Sequence, residues 1–278
     1  MTEVKKTPDG IEIPPPGPDD VLYEAAEGIA RITLNRPVVL NALNKHVQRL
    51  LDAALDRAEA DDEVNVVILS GAGRSFCAGG DLYASLYPDD DPAPSGTDVQ
   101  LRIWGFAKPV IAKVRGHAVG QGCELAGVCD LTIAAESAKL GEIQIRHGFG
   151  PPTLITPFLV GMKQAKELLL LGEMVDAQDA LRLGLVNRVV PDDELDATVD
   201  EIARKLAALP QETVRTNKAL VNRSYELAGF RDALAYRDDE AIQALSSGDR
   251  AGVLDELTEG GWEAFKQKRD ALYEAPSD

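Results

Sequence analysis

Two short stretches hold the residue types from which a reaction site could be built. Residues 119–129 read VGQGCELAGVC and residues 76–81 read FCAGGD. Each sits where a buried apolar run gives way to sequence suited to a helix. Glycine there lets the backbone come close to a ligand, and exposed N–H groups at a helix start favour negative charge. Two N–H groups converging from separate turns would make an oxyanion hole, holding charge that develops on a carbonyl oxygen. Glu124 follows the second turn and could move protons beside such a hole. The plain alternatives are two tight strand-to-helix turns, and an acid solvated in a helix's first turn where it suits the dipole.

Other chemistries fail on their own requirements. A dinucleotide fingerprint begun at Gly120 needs glycine or alanine where Leu125 stands, and no GK[ST] or GxSxG occurs. His46, His117 and His147 lack metal-ligand spacing, so no metal site is expected. Cys77, Cys123 and Cys129 form no CxxC pair and read as reduced thiols, with Cys123 a small buried side chain rather than a nucleophile. The charge of −17, from 29 basic and 46 acidic residues, argues against nucleic acid as a partner. MTEVKKTPDG has no signal-peptide apolar core, and no run is long enough to span a bilayer. A soluble, cytoplasmic protein with no membrane partner is expected.

The elements that must position the turns follow from periodicity. Residues 1–20 carry Pro8, Pro14, Pro15, Pro16 and Pro18 and are expected to be an extended or disordered tail with little to bury. VLYEAAEGIARITL reads as a hairpin about Glu27-Gly28. From Asn44, Val47, Leu50, Leu51, Ala54, Leu55 and Ala58 share a helical face. VNVVILS and PVIAKVRG are strands that lead into the two turns, LTIAA and the region of Leu140 are further strands, and SLYPDDDPAPSGTD is a surface loop. After Thr153 helices dominate, with one more strand at LVNRVVP. The expected organisation is a flexible tail (1–20), an α/β core (21–209) and a helical appendage (210–278) packed on the core or on a neighbouring subunit.

Taken together, ITLNRPVVLNALN, VVILSGAGRSFCAGGDL, PVIAKVRGHAVGQGCELAGVCDLTIAAESAKLGEIQIRHG, AKELLLLGEMVDAQDALRLGLVNRVVP and EAFKQKRDA resemble the enoyl-CoA hydratase/isomerase, or crotonase, family. The resemblance runs from about residue 21 to 273. It implies a crotonase-like spiral of ββα units with a C-terminal helical trimerisation region, assembled as a homotrimer or a hexamer of two trimers. It implies an acyl-CoA thioester as substrate, no separate cofactor, and enolate stabilisation by the backbone N–H groups of Gly80 and Gln121. Enoyl-CoA hydration, a lyase reaction of the kind met in fatty acid metabolism, is the broad activity implied. The alternatives are another enolate reaction (isomerisation, thioester hydrolysis, decarboxylation or C–C cleavage) on a polar acyl-CoA, or a silent CoA-binding scaffold.

Residue by residue, the family's first glutamate falls on Glu124 and its second on Gln144. An amide can hold water but cannot transfer a proton, so the departure at Gln144 bears on which reaction is run. Glu142 could substitute if 142–144 is extended, since alternate side chains would then share a face. Arg146 and His147 are further pocket candidates for a polar acyl group. For CoA the resemblance implies Val38, Val39 and Leu40 after NRP, Gly80, Asp81 and Leu82 at the first turn, and Phe265 and Lys268 near the C-terminus. A core aromatic and a solvated lysine are the plain readings of that last pair.

Overall fold

The computed structural model describes residues 4–8, 10–245 and 247–271. A two-stranded hairpin, β1 (Lys5–Lys6) and β2 (Glu12–Ile13), comes first. Then β3 (Val21–Ala26) and β4 (Ile29–Leu34) form the expected antiparallel hairpin. Glu27 and Gly28 both have positive φ, 52° and 78°, which suits the twist of a two-residue turn. β4, β5 (Val66–Gly71), β6 (Val110–Val114), β8 (Leu131–Ala135) and β11 (Arg188–Val190) run parallel, giving a six-stranded sheet in the order β11-β8-β6-β5-β4-β3. β7 (His117–Val119), β9 (Lys139–Gly141) and β10 (Val175–Asp176) form a second, three-stranded sheet.

The winding is a strand in the large sheet, a short extended segment in the second layer, then a helix. After β4 comes the segment at Leu43 and α1 (Lys45–Ala60). After β5 come Cys77–Gly80 and, further on, α2 (Gly96–Gly105). After β6 come β7 and α3 (Gln121–Gly127). Parallel bridges join Leu43 to Gly80 and Cys77 to Ala118, so the second layer places these segments side by side.

Both faces of the large sheet are buried, as a parallel sheet requires. Along β5, Val67 and Leu69 join one apolar cluster with α1 and α3 residues such as Leu51, Leu55 and Leu125. Val66 and Ile68 point the other way, into a second cluster with Leu195, Val199 and Ile202. Those last three lie on α7 (Leu195–Ala208), which covers the back of the sheet. The short α4 (Thr156–Leu159), α5 (Met162–Leu171) and α6 (Ala177–Leu183) precede α7. Helices α8 (Gln211–Leu227), α9 (Phe230–Arg237), α10 (Glu240–Ala244) and α11 (Ser247–Ala271, kinked at Gly261) make up the rest.

Three local expectations are corrected. The tail has something to bury: Ile13 and Thr7 are buried, and the Tyr87 hydroxyl donates to Ile13 O at 2.8 Å. The acidic loop ends earlier than its composition implies, because Ser95 and Asp98 cap each other reciprocally and start α2 at Gly96. A second late strand, β10, pairs with β9 and was too short to leave a period-2 signal.

Candidate active site

The two glycine turns meet. From the Cys77–Ala118 bridge the segments run in parallel, and three residues on in each stand Gly80 and Gln121. Gly79 lies against the second turn: a Cβ there would fall 2.9 Å from Val119 O and 3.4 Å from Gln121 N. Neither Gly80 N–H nor Gln121 N–H is engaged by a backbone carbonyl among the described residues. Each glycine of GQG has its own reason. Gly120 caps α3 at φ 55°, ψ −128°, a conformation closed to residues with a side chain. Gly122 lets α3 press on the first turn, where a Cβ would lie 2.3 Å from Cys77 O.

Glu124 is fully buried on α3, which removes the reading of a solvated first-turn acid. Its carboxylate accepts N–H bonds from Thr153 (3.0 and 3.1 Å, one to each oxygen) and from Leu154 (3.0 Å). Leu154 is held at φ 49°, a strained setting for a branched residue, and it aims this donor at the acid. Thr153 Oγ1 donates to Gln100 Oε1, and Gln100 Nε2 donates to Gln121 O at 2.8 Å, tying the acid's loop to the second turn.

Residues 142–144 are not extended: Ile143–His147 is a 3-10 turn with Glu142 at its start. Glu142 and Gln144 nevertheless meet, because the tight turn brings the side chains back together. Gln144 Nε2 donates to Glu142 Oε2 at 2.8 Å, and Thr156 Oγ1 donates to Glu142 Oε1. Gln144 Oε1 is buried with no hydrogen-bond partner among the described residues. It faces the second turn, 3.5 Å from where a Cβ on Gly120 would stand.

The electrostatics couple the two acids. Burial, and then the negative charge of Glu142, hold Glu124 well above its ordinary value, against the pull of the Thr153 and Leu154 N–H groups and of Arg237. Burial also raises Glu142, opposed by its bonds to Thr156 and Gln144. Burial and both glutamates raise the Cys123 thiol, which favours the neutral thiol over a thiolate there. His117 contacts Ser75 Oγ at 3.4 Å and lies apart from that chemistry.

Other candidates have different surroundings. His147 is buried and stacks on Phe265 with ring centroids 5.4 Å apart, while Arg269 Nη1 lies 3.3 Å from its Nε2. Burial and the charges of Arg269 and Arg146 lower its pKa to about 4. Arg146 lays its stem against the end of α5, where a Cβ on Gly172 would meet its Cγ at 3.2 Å. These contacts place both residues toward α5 and α11 rather than between the acids.

Among the CoA candidates, Val38 is 57% exposed, Val39 lies beside it in the Pro37–Val39 turn, and Leu40 closes that turn at φ 50°. Leu82 is half-buried next to Gly80. The Asp81 carboxylate is committed inward, to Arg36 Nη1 at 2.8 Å, Tyr83 N at 2.9 Å and Asn44 Nδ2 at 3.3 Å, so its side chain holds the turn. Phe265 is buried, and Lys268 is exposed and ion-paired with Glu256. Thr153, Thr156 and Gln100 escaped the sequence reading. Only a glutamine inside the apolar run VQLRI hinted at any of them.

Comparison with known proteins agrees with this architecture. The family model described as enoyl-CoA hydratase/isomerase matches residues 24–275. The chain is 36% identical over 245 residues to a short-chain-enoyl-CoA hydratase of Clostridium acetobutylicum, covering 85% of this chain and 93% of the relative. The crystal structure of an enoyl-CoA hydratase/isomerase from Xanthobacter autotrophicus Py2 superposes with a TM-score of 0.86 at 40% identity, covering 92% of this chain and 99% of that one. A probable enoyl-CoA hydratase from Mycobacterium thermoresistibile gives 0.75 at 33% identity, covering 84% and 98%. The paired turns, the buried acid behind them and these likenesses lead to one conclusion: the chain belongs to the enoyl-CoA hydratase/isomerase family.

Proposed function

We propose that the protein is an enoyl-CoA hydratase, adding water across the 2,3-double bond of an acyl-CoA thioester through Glu124 and Glu142. The observation that carries this is two buried carboxylates beside the second turn, with the Gly80 and Gln121 N–H groups unengaged by backbone carbonyls among the described residues. Glu124 stands one turn into α3, and Glu142 is next to Gly141, whose carbonyl accepts the Gly120 N–H at 2.8 Å. Gly80 N–H and Gln121 N–H hold the thioester oxygen, so charge moved onto it by attack at C3 meets donors already in place. Burial disfavours charge on both acids, and the charge of Glu142 raises Glu124 further, so one of them holds a proton while the other serves as base. Glu124, steadied by the Thr153 and Leu154 N–H groups, takes a proton from the attacking water. The hydroxyl goes to C3, and Glu142 gives its proton to C2. Gln144 Oε1 is the acceptor that orients the water, a task an amide can perform without transferring a proton. Glu142 thus supplies the second acid that position 144 lacks.

The test is purified protein with crotonyl-CoA, following loss of the conjugated enoyl-thioester absorbance. Conversion to the 3-hydroxyacyl thioester is expected, with kcat falling about 10²–10⁴-fold in Glu124→Gln while thioester binding persists. Wild-type activity in that variant would remove Glu124 from the mechanism. Leu220, Val221 and Leu227 are exposed on α8 and Leu245 follows α10, which supports assembly as a homotrimer or a pair of trimers. Sedimentation equilibrium should give three or six times the chain mass, and a monomer would overturn that assembly.

A further inference from the structure

The surroundings of the second turn, on the side of α2, are polar. The Gln121 side chain lies against the start of α2: a Cβ on Gly96 would fall 1.7 Å from its Nε2 and 3.1 Å from Gln48 Nε2. Gln100, one turn further along α2, is the buried amide already joined to Gln121 O. Between them stands Thr97, whose hydroxyl donates to Pro152 O at 2.7 Å and accepts from Arg237 Nη1 at 3.3 Å. Pro152 immediately precedes Thr153, whose N–H holds Glu124. Arg237, from the end of α9, therefore borders both the residue next to the Gln121 side chain and the loop that fixes Glu124.

Arg237 has one donor unmet among the described residues. Its side chain is 13% exposed, and Nη2 pairs with Asp238, which is 60% exposed. Its Nε is buried with no hydrogen-bond partner among the described residues. A guanidinium taken this far from water is costly unless its donors are met, and a planar carboxylate is the group that best matches its fork. Glu124 does not fill that role, since its oxygens are bound to the Thr153 and Leu154 N–H groups.

We propose that Arg237 anchors a carboxylate at the distal end of the acyl chain, so that the preferred thioester carries a second, free carboxyl group. This rests on reading the site as an acyl-CoA site. An alkyl chain laid against Arg237 would leave its Nε–H without an acceptor, which a site discriminates against strongly.

The test separates this from the hydratase reading by using thioesters that cannot be hydrated. Calorimetric titration compares glutaryl-CoA with pentanoyl-CoA, which share five acyl carbons, on wild type, Arg237→Met and Arg237→Lys. Wild type should bind glutaryl-CoA at least about tenfold more tightly, as a charge-assisted pair implies. Arg237→Met should bring the ratio near one, and Arg237→Lys should keep part of it. Equal wild-type affinities, or a preference that survives in Arg237→Met, would overturn the proposal. The wild-type comparison decides even if a variant fails to fold. Turnover of neither 4-carboxybut-2-enoyl-CoA nor 2-pentenoyl-CoA, with the binding preference intact, would instead overturn hydration and leave the carboxylate anchor standing.

Discussion

At the scale of the residue, the chemistry turns on which side chain supplies the second proton. Glu142 and Gln144 are joined at 2.8 Å, so exchanging acid and amide within the pair tests the assignment with little change in volume. Glu142→Gln should lower kcat by about 10²-fold or more. Adding Gln144→Glu to it should restore much of that loss, because a carboxylate again stands in the pair. Kinetics on the two variants check this, and full activity in Glu142→Gln would contradict it. The same pair leaves a mark on stability. Both acids are raised above 4.5 in the folded state, so the stability linked to them is present below that value and lost as pH rises through the folded values. Glu142→Gln removes one such group and the repulsion. Its urea midpoint should therefore gain on wild type from pH 5 to pH 8, and a gap independent of pH would contradict the coupling. Glu124 was legible from its type and its place after GQG. Glu142 was named as a substitute on the wrong backbone, an extended 142–144, because no apolar period announces the 3-10 turn that joins it to Gln144. The inward pairing of Asp81 with Arg36 joins residues 45 apart and leaves no local trace.

At the scale of the element, the site depends on a turn whose geometry only glycine reaches. The nearest atom to a Cβ on Gly120 would be 3.5 Å away, so conformation rather than space forbids a side chain there. Gly120→Ala should cost about 1–3 kcal/mol of stability. It should also lower kcat more than it raises KM, since the Gln121 donor moves with the strained backbone. Urea melts and steady-state kinetics check both effects, and an unchanged kcat would mean that Gln121 N–H does not hold the oxyanion. The strands leading into both turns were legible because β5 and β6 are mostly apolar runs, nearly all of whose residues are buried. α2 was hidden by the proline and aspartate ahead of it. Its signal was the Ser95–Asp98 capping box inside that loop.

At the scale of the whole molecule, the spiral explains why parts distant in sequence form one site. β4, β5, β6 and β8 of the large sheet are each followed by a segment of the second layer, and stacking those segments brings residue 80 beside residue 121. The α/β core and the helical last quarter could be read from periodicity. Of the second layer only the strand at Leu140 could, since its strands are two or three residues long and gain their register from neighbours. Closing residues 143–147 under α11, with Phe265 on His147, likewise needs the whole chain in place. The measurement that bears most directly on the central claim is conversion of crotonyl-CoA in ¹⁸O-water, with the product located by mass spectrometry. Hydration predicts one label on C3 of an intact 3-hydroxybutyryl-CoA. Label in a free carboxylate, with CoA released, would assign the oxyanion hole to thioester hydrolysis and contradict the roles given to Glu124 and Glu142.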